Sequence, residues 1–176
     1  MKHLGQTVAP TIIVALVLFS SFGCSRASEA SYKDVVQRSL EQADLQGVTV
    51  DENRARNTIT LGGTVHSVAA KDQAAQVALA VAGRRMIVNQ ISIEPPGLAS
   101  QARSIESNVD SGIESNYQAA LIANGLAQQN IRYTAKNGVL TLKGKVKDSQ
   151  QRQEAEQIAQ SVPNVGQVVN QIEINR

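Results

Sequence analysis

Slid along itself by 81 residues, the chain meets its own second half without a gap. "ITLGGTVHS" (59–67) falls on "LTLKGKVKD" (140–148), and "QAAQVALAV" (73–81) falls on "EAEQIAQSV" (154–162). "VNQISI" (88–93) falls on "VNQIEI" (169–174), Leu40 on Leu121 and Leu45 on Leu126. Matches this specific mark a duplication, and they constrain the fold before any element is assigned. Two copies are too few for a solenoid, in which several repeats share one continuous core. Each copy is therefore a small domain with a core of its own.

The elements of one copy follow from periodicity. "YKDVVQRSLEQAD" (32–44) puts Val36, Leu40 and Ala43 on one helical stripe. Val48 and Val50 alternate with polar residues, a polar turn follows, and Ile59, Leu61, Gly63 and Val65 alternate again, which is a hairpin with one apolar face. Ser67, aligned with Asp148, is placed to cap a second helix over 68–82 that turns Ala74, Val77, Ala78 and Val81 inward and ends at Gly83. "MIVNQISIE" (86–94) is a last strand, expected to face its core with Val88 (or Met86) and then with Ile91 and Ile93, with a bulge near Asn89. In the second copy the first helix runs from about 105 to 123, with Ile105, Val109, Ile113, Tyr117, Ala120 and Leu121 at helical spacing, and Pro163 stops the second helix. The expected fold class is α+β: two tandem α-β-β-α-β domains, each a three-stranded sheet with two helices packed on one face. The domains are read as 32–94 and 105–176, joined by a linker over 95–104 that opens with Pro-Pro-Gly.

The N-terminus has a different character. A basic start at Lys2 and His3 precedes 12 uncharged, mostly apolar residues from Val8 to Phe19. That run is too short to span a bilayer and suits the core of an export signal over 1–23. The one cysteine, Cys24, follows Gly23 directly, so no disulfide can form within the chain. Gly23-Cys24 resembles a bacterial lipobox, in which the cysteine is lipidated and becomes the first mature residue, leaving 24–31 as a tether. Ser21 and Phe22 depart from the usual lipobox residues. The alternative is ordinary secretion with cleavage after Ala27 or Ala30.

With the repeat unit read, a resemblance can be stated. "LTLKGKVKD", an Ala-rich helix and "VPNVGQVVNQIEI" resemble BON domains, whose central glycine sits at Gly63 and Gly144. The closing pattern of the family is met at Val162, Asn164, Val165, Val168, Asn170 and Ile172, while the first copy departs from it at Gly83 and Arg84. A signal with a lipobox followed by two such units is similar to dual-BON lipoproteins of the Gram-negative envelope. That resemblance implies a non-enzymatic protein anchored in the outer membrane and facing the periplasm, or a soluble periplasmic one. It implies binding to anionic phospholipid and support of outer-membrane integrity, with the second domain and its first helix nearest the lipid.

The residues that bear on this are charged and unevenly ordered. Net charge is only +2, so no polyanion is implied by composition. Yet 105–130 holds three acids (Glu106, Asp110, Glu114) and no base, and 131–147 holds five bases and no acid. Lys143, Lys145 and Lys147 alternate on one strand, so they share a face, with Arg132 and Lys136 on the preceding strand of the hairpin. Such a patch suits an anionic bilayer, and exposed strands also carry Lys simply to stay soluble. Tyr117 and Leu121 are candidates for acyl-chain contact, although stripe residues at helical spacing are usually core. Aromatics are 3% of the chain, and outside the signal His66 is the one histidine. No metal-ligand set, nucleophilic triad or stacking platform can be assembled, so neither enzymatic chemistry, a metal or cofactor, nor nucleic acid is expected. The second class of function kept open is docking of envelope proteins on the sheet faces or edges.

Overall fold

A computed structural model describes residues 31–175. The expected export signal, Cys24 and most of the expected tether lie outside the described residues. The first unit contains α1 (Tyr32–Gln42), β1 (Val48–Asn53), a 3-10 turn (Arg54–Arg56), β2 (Thr58–Val65), α2 (Val68–Val81), β3 (Met86–Asn89) and β4 (Ser92–Ile93). The second contains α3 (Ala99–Ala123), β5 (Asn130–Lys136), β6 (Val139–Val146), α4 (Ser149–Ser161) and β7 (Gln167–Ile174). In both, the middle strand of the sequence is the centre of the sheet. β2 pairs antiparallel with β1 and parallel with β3 and β4, and β6 pairs antiparallel with β5 and parallel with β7. The expected α+β architecture is present in both copies. The expected bulge near Asn89 is absent: β3 and β4 are separated by a break, but both pair with β2 in one register, Leu61 with Asn89 and Thr64 with Ser92.

The caps explain where the helices begin and end. Ser67 and Asp148 have extended backbones, and their side chains accept from the N–H groups of Ala70 and Gln151. After α2 and α4 the chain turns through left-handed residues at the matching places Gly83 (φ 65°) and Asn164 (φ 65°). The departure of the first copy at this position is therefore conformationally silent, because Gly and Asn are the two residues that enter this region most readily.

The repeated VNQI has a mechanical role. Asn89 donates from Nδ2 to the Lys71 carbonyl of α2 and accepts from Ile91 N–H at Oδ1. Asn170 donates to the Arg152 carbonyl of α4 and accepts from Ile172 N–H. In each copy one asparagine ties the last strand to the helix above it.

The helices bury one sheet face. Val36, Leu40, Ile59, Leu61, Ala74 and Ala78 are fully buried in the first core, with Val48, Ile87 and Ile91 beside them. Ile113, Tyr117, Leu140, Leu142, Ala155 and Ala159 anchor the second. Three further expectations need correction. Val88 is buried, but on the opposite face, against Val139 and Val169 of the second unit. Ile87 takes the core position, and Met86 is 47% exposed. Strict alternation runs from Ile87 through Ile91, and Val88 misleads because the other face of this strand is also covered. Second, α3 starts at Ala99, inside the expected linker. Third, Ile105 and Val109 are 63% and 37% exposed rather than core, because α3 overshoots the sheet it packs on.

The gapless repeat also conceals a register shift. Gly63 pairs with Val48, whereas Gly144 pairs with Ile131, two residues further along its strand. The first hairpin closes through residues 54–57. The second closes through Asn137 and Gly138 alone, both left-handed (φ 50° and 80°), as a two-residue hairpin turn requires.

Candidate functional site

Pairing sets the geometry of the basic residues. On β5 and β6, Arg132 lies opposite Lys143, Asn130 opposite Lys145, and Lys136 opposite Val139 at the hairpin end. Across β6 and β7, Lys143 lies beside Gln171 and Lys145 beside Glu173. Directly paired residues share a face, so Arg132, Lys143 and Lys145 stand together on the side away from the helices, while Leu142 and Val146 go into the core. Lys145 Nζ is 3.8 Å from Glu173, a loose and exposed pair. Lys136 is on the same face but two rows away. Lys147 lies past the end of β6, where its N–H donates to the Gln151 side chain at the entry to α4. The fold therefore gathers three of the five bases into one strip.

Tyr117 and Leu121 are not on the surface. Tyr117 is fully buried, donates its hydroxyl to the Ala155 carbonyl at 3.1 Å, and meets Tyr133 edge-on with ring centroids 5.0 Å apart. Burial, and secondarily the neighbouring Tyr133, raise its phenol above the ordinary range. Leu121 is 5% exposed in the same core. Neither reaches an acyl chain in this fold. The apolar residues that α3 leaves exposed are Ile105, Val109 and Ile122.

The acids of α3 turn inward upon backbone. Glu106 accepts from Ile93 N–H and from the Ser92 hydroxyl of the first unit. Asp110 accepts from Asn137 and Gly138 N–H at 2.8 and 3.0 Å, and Glu114 accepts from Ala135 N–H. The three acids that precede the basic run in sequence form a set of charge-assisted bonds linking one helix to both units. Sequence spacing of about one turn was the available signal, but their partners lie far along the chain.

The two units also meet directly. Gln167 donates to the Ile87 carbonyl at 2.7 Å and accepts from Asn89 N–H at 3.2 Å, as a neighbouring strand would. Asn137 donates to the Gln90 carbonyl, Lys71 donates to the Asn137 carbonyl, and Arg56 meets the Gln171 side chain. Burial lowers the Lys71 pKa, opposed by the charges of Glu106, Asp110 and Asp72. Arg85 pairs with Glu52 at 3.2 Å and lies 3.5 Å above the Tyr32 ring.

Among the described residues no group of three His, Cys, Asp or Glu could hold a metal ion, and no helix is long and apolar enough to cross a membrane. His66 has Nδ1 2.9 Å from the Glu94 carbonyl oxygen.

The sheet order, the paired glycines and the asparagine clamps occur twice, and the family comparison finds the same duplication. The BON domain matches residues 28–95 and again residues 109–176. The chain belongs to the BON domain family. Among curated proteins none matches it. Two solved structures of CdsD, a structural protein of the type III secretion system of Chlamydia trachomatis, are similar over 81% and 84% of this chain. They share 15% and 18% identity with it, each with a TM-score of 0.32, and the match spans 67% and 63% of their own lengths. The first of these is the C-terminal domain.

Proposed function

We propose that this BON protein is a non-enzymatic envelope module, tethered through Cys24 to the outer membrane on its periplasmic side, that binds anionic phospholipid and so supports membrane integrity. The observation that carries the reading is the strip of Arg132, Lys143 and Lys145 on adjacent strands, on the exposed part of the sheet face away from the helices. Each cation near an anionic surface contributes about 1 kcal/mol, and less as salt screens it. Three together give useful but salt-sensitive affinity.

The test is co-sedimentation of residues 26–176, which retain every described element, with vesicles of phosphatidylglycerol or of phosphatidylcholine. Binding to phosphatidylglycerol alone, weakened at high salt and abolished in the Lys143→Glu/Lys145→Glu variant, is the expected result. Equal binding to both lipids, or binding indifferent to the two lysines, overturns it.

A further inference from the structure

The contact between the two units has an approximate two-fold symmetry. Arg56 meets Gln171, and Asn137 meets Gln90; these are the same two positions of the repeat, exchanged between copies. At the centre Val88 packs with its counterpart Val169 and with Val139.

The two sides of that centre differ. On one side the units close. Gln167 satisfies the edge of β3, Lys71 reaches the Asn137 carbonyl, and the Glu106 and Asp110 charges act on Lys71. On the other side the repeat puts Met86 where Gln167 would be and Arg152 where Lys71 would be. Methionine has no amide to offer the edge of β7. The longer first hairpin also changes the approach of its turn. A groove of about 480 Å³ is left open, lined by Arg56, Met86, Arg152, Val169, Gln171 and Glu173 among others. Among the described residues, Asp and Glu pair with Arg54, Arg85, Arg103 and Lys145, and none pairs with Arg56 or Arg152.

On the closed side the place is filled by α3, whose Glu106 and Asp110, one turn apart, accept from Ser92, Ile93, Asn137 and Gly138 and act by charge on Lys71. We propose that the open groove docks an acidic helical segment of a partner protein, with a carboxylate between Arg56 and Arg152 and an apolar side chain on Met86 and Val169. Guanidinium groups suit this task because they bind carboxylates through two parallel N–H donors. The apolar floor adds burial that a free anion would not use. This docking does not depend on the membrane reading, because it uses neither Lys143 nor Lys145.

A fluorescently labelled peptide copying residues 101–114, the segment of α3 that bears Glu106 and Asp110, is a direct probe. Anisotropy titration against residues 26–176 is expected to show saturable binding at low salt. Arg152→Glu is expected to weaken it about tenfold or more, as loss of a close interfacial charge pair does. The Arg152 side chain has no hydrogen bond of its own among the described residues, so this variant should keep its fold, which circular dichroism checks. Arg56→Glu should act in the same direction, and Lys143→Glu/Lys145→Glu should leave peptide binding intact. A peptide with Lys at both acidic positions should bind the Arg152→Glu variant better than the parent protein. The proposal is overturned if the peptide does not bind, or if it binds the parent and Arg152→Glu equally. It is also overturned if dihexanoyl phosphatidylglycerol, below its micelle concentration, binds with the same arginine dependence while the peptide does not. That last result makes the groove a headgroup site.

Discussion

Gly63 and Gly144 hold the central strands at φ 84° and 125°, where a side chain is strained. Space is lacking as well: a Cβ would overlap the Gly47 carbonyl oxygen in one copy and the Asn130 carbonyl oxygen in the other. Gly144→Ala should therefore cost about 2–4 kcal/mol, from backbone strain plus displacement of β5. Gly97→Ala is the control, because Gly97 shares a positive φ of 77° but a Cβ there meets nothing within 4 Å. It should cost about 1 kcal/mol, and urea denaturation of the two variants separates strain from overlap. Glu52 tests burial of charge at the same scale. Its side chain is 5% exposed and accepts from the Ser31 hydroxyl at 2.8 Å, with Arg85 at 3.2 Å. The Ser31 bond above all, then Lys33 N–H and the two arginines, hold its pKa below the usual carboxylate value against the opposing effect of burial. A depressed folded pKa means that the stabilisation is present above the ordinary glutamate range and is lost as pH falls through the folded value. The difference in urea midpoint between parent and Glu52→Gln should be large near neutral pH and should shrink below about pH 4.

Among the elements, α3 is the one that departs from the repeat. Its last eleven residues align with the eleven of α1. The part before Ile113 has no described counterpart, and it supplies Glu106 and Asp110. Asp110 caps the Asn137-Gly138 turn, whose two N–H groups would otherwise face only solvent or unpaired space. Asp110→Ala should cost about 2–3 kcal/mol by loss of two charge-assisted bonds. Hydrogen exchange should locate the effect, with Asn137 and Gly138 amides losing protection while those of β2 do not. Uniform loss of protection across both units would show that the turn has no local stability of its own. The asparagines of VNQI work at this scale too, since each joins an edge strand to a helix that is otherwise held by small apolar contacts such as Ala74 or Ala155.

At the scale of the molecule, the face of each sheet away from its helices is only partly open. Val88, Val139 and Val169 are 3%, 2% and 3% exposed, and they cluster with one another rather than with either core. Val169→Asp places a charge in that contact without entering a domain core. It should separate the units while leaving each folded: the cores would melt near their parent temperatures, while small-angle scattering would report a larger radius of gyration. Loss of helical signal at ambient temperature would show instead that the second unit depends on the first for its fold.

Sequence by itself determined the duplication, the order of elements, the helix caps at Ser67 and Asp148, the inward-facing Leu142 and Val146, and the common face of Lys143 and Lys145. Each of these depends on periodicity or on a residue's own backbone preference, so a short stretch of chain suffices to state it. Only the tertiary structure decided the face of Val88, the burial of Tyr117, the extent of α3, the register shift hidden in a gapless repeat, and the use of the α3 carboxylates. Those depend on what lies across space. An apolar residue on a strand covered from both sides carries no mark of which side it faces, and an aspartate looks the same in sequence whether it meets water or two backbone N–H groups 27 and 28 residues away.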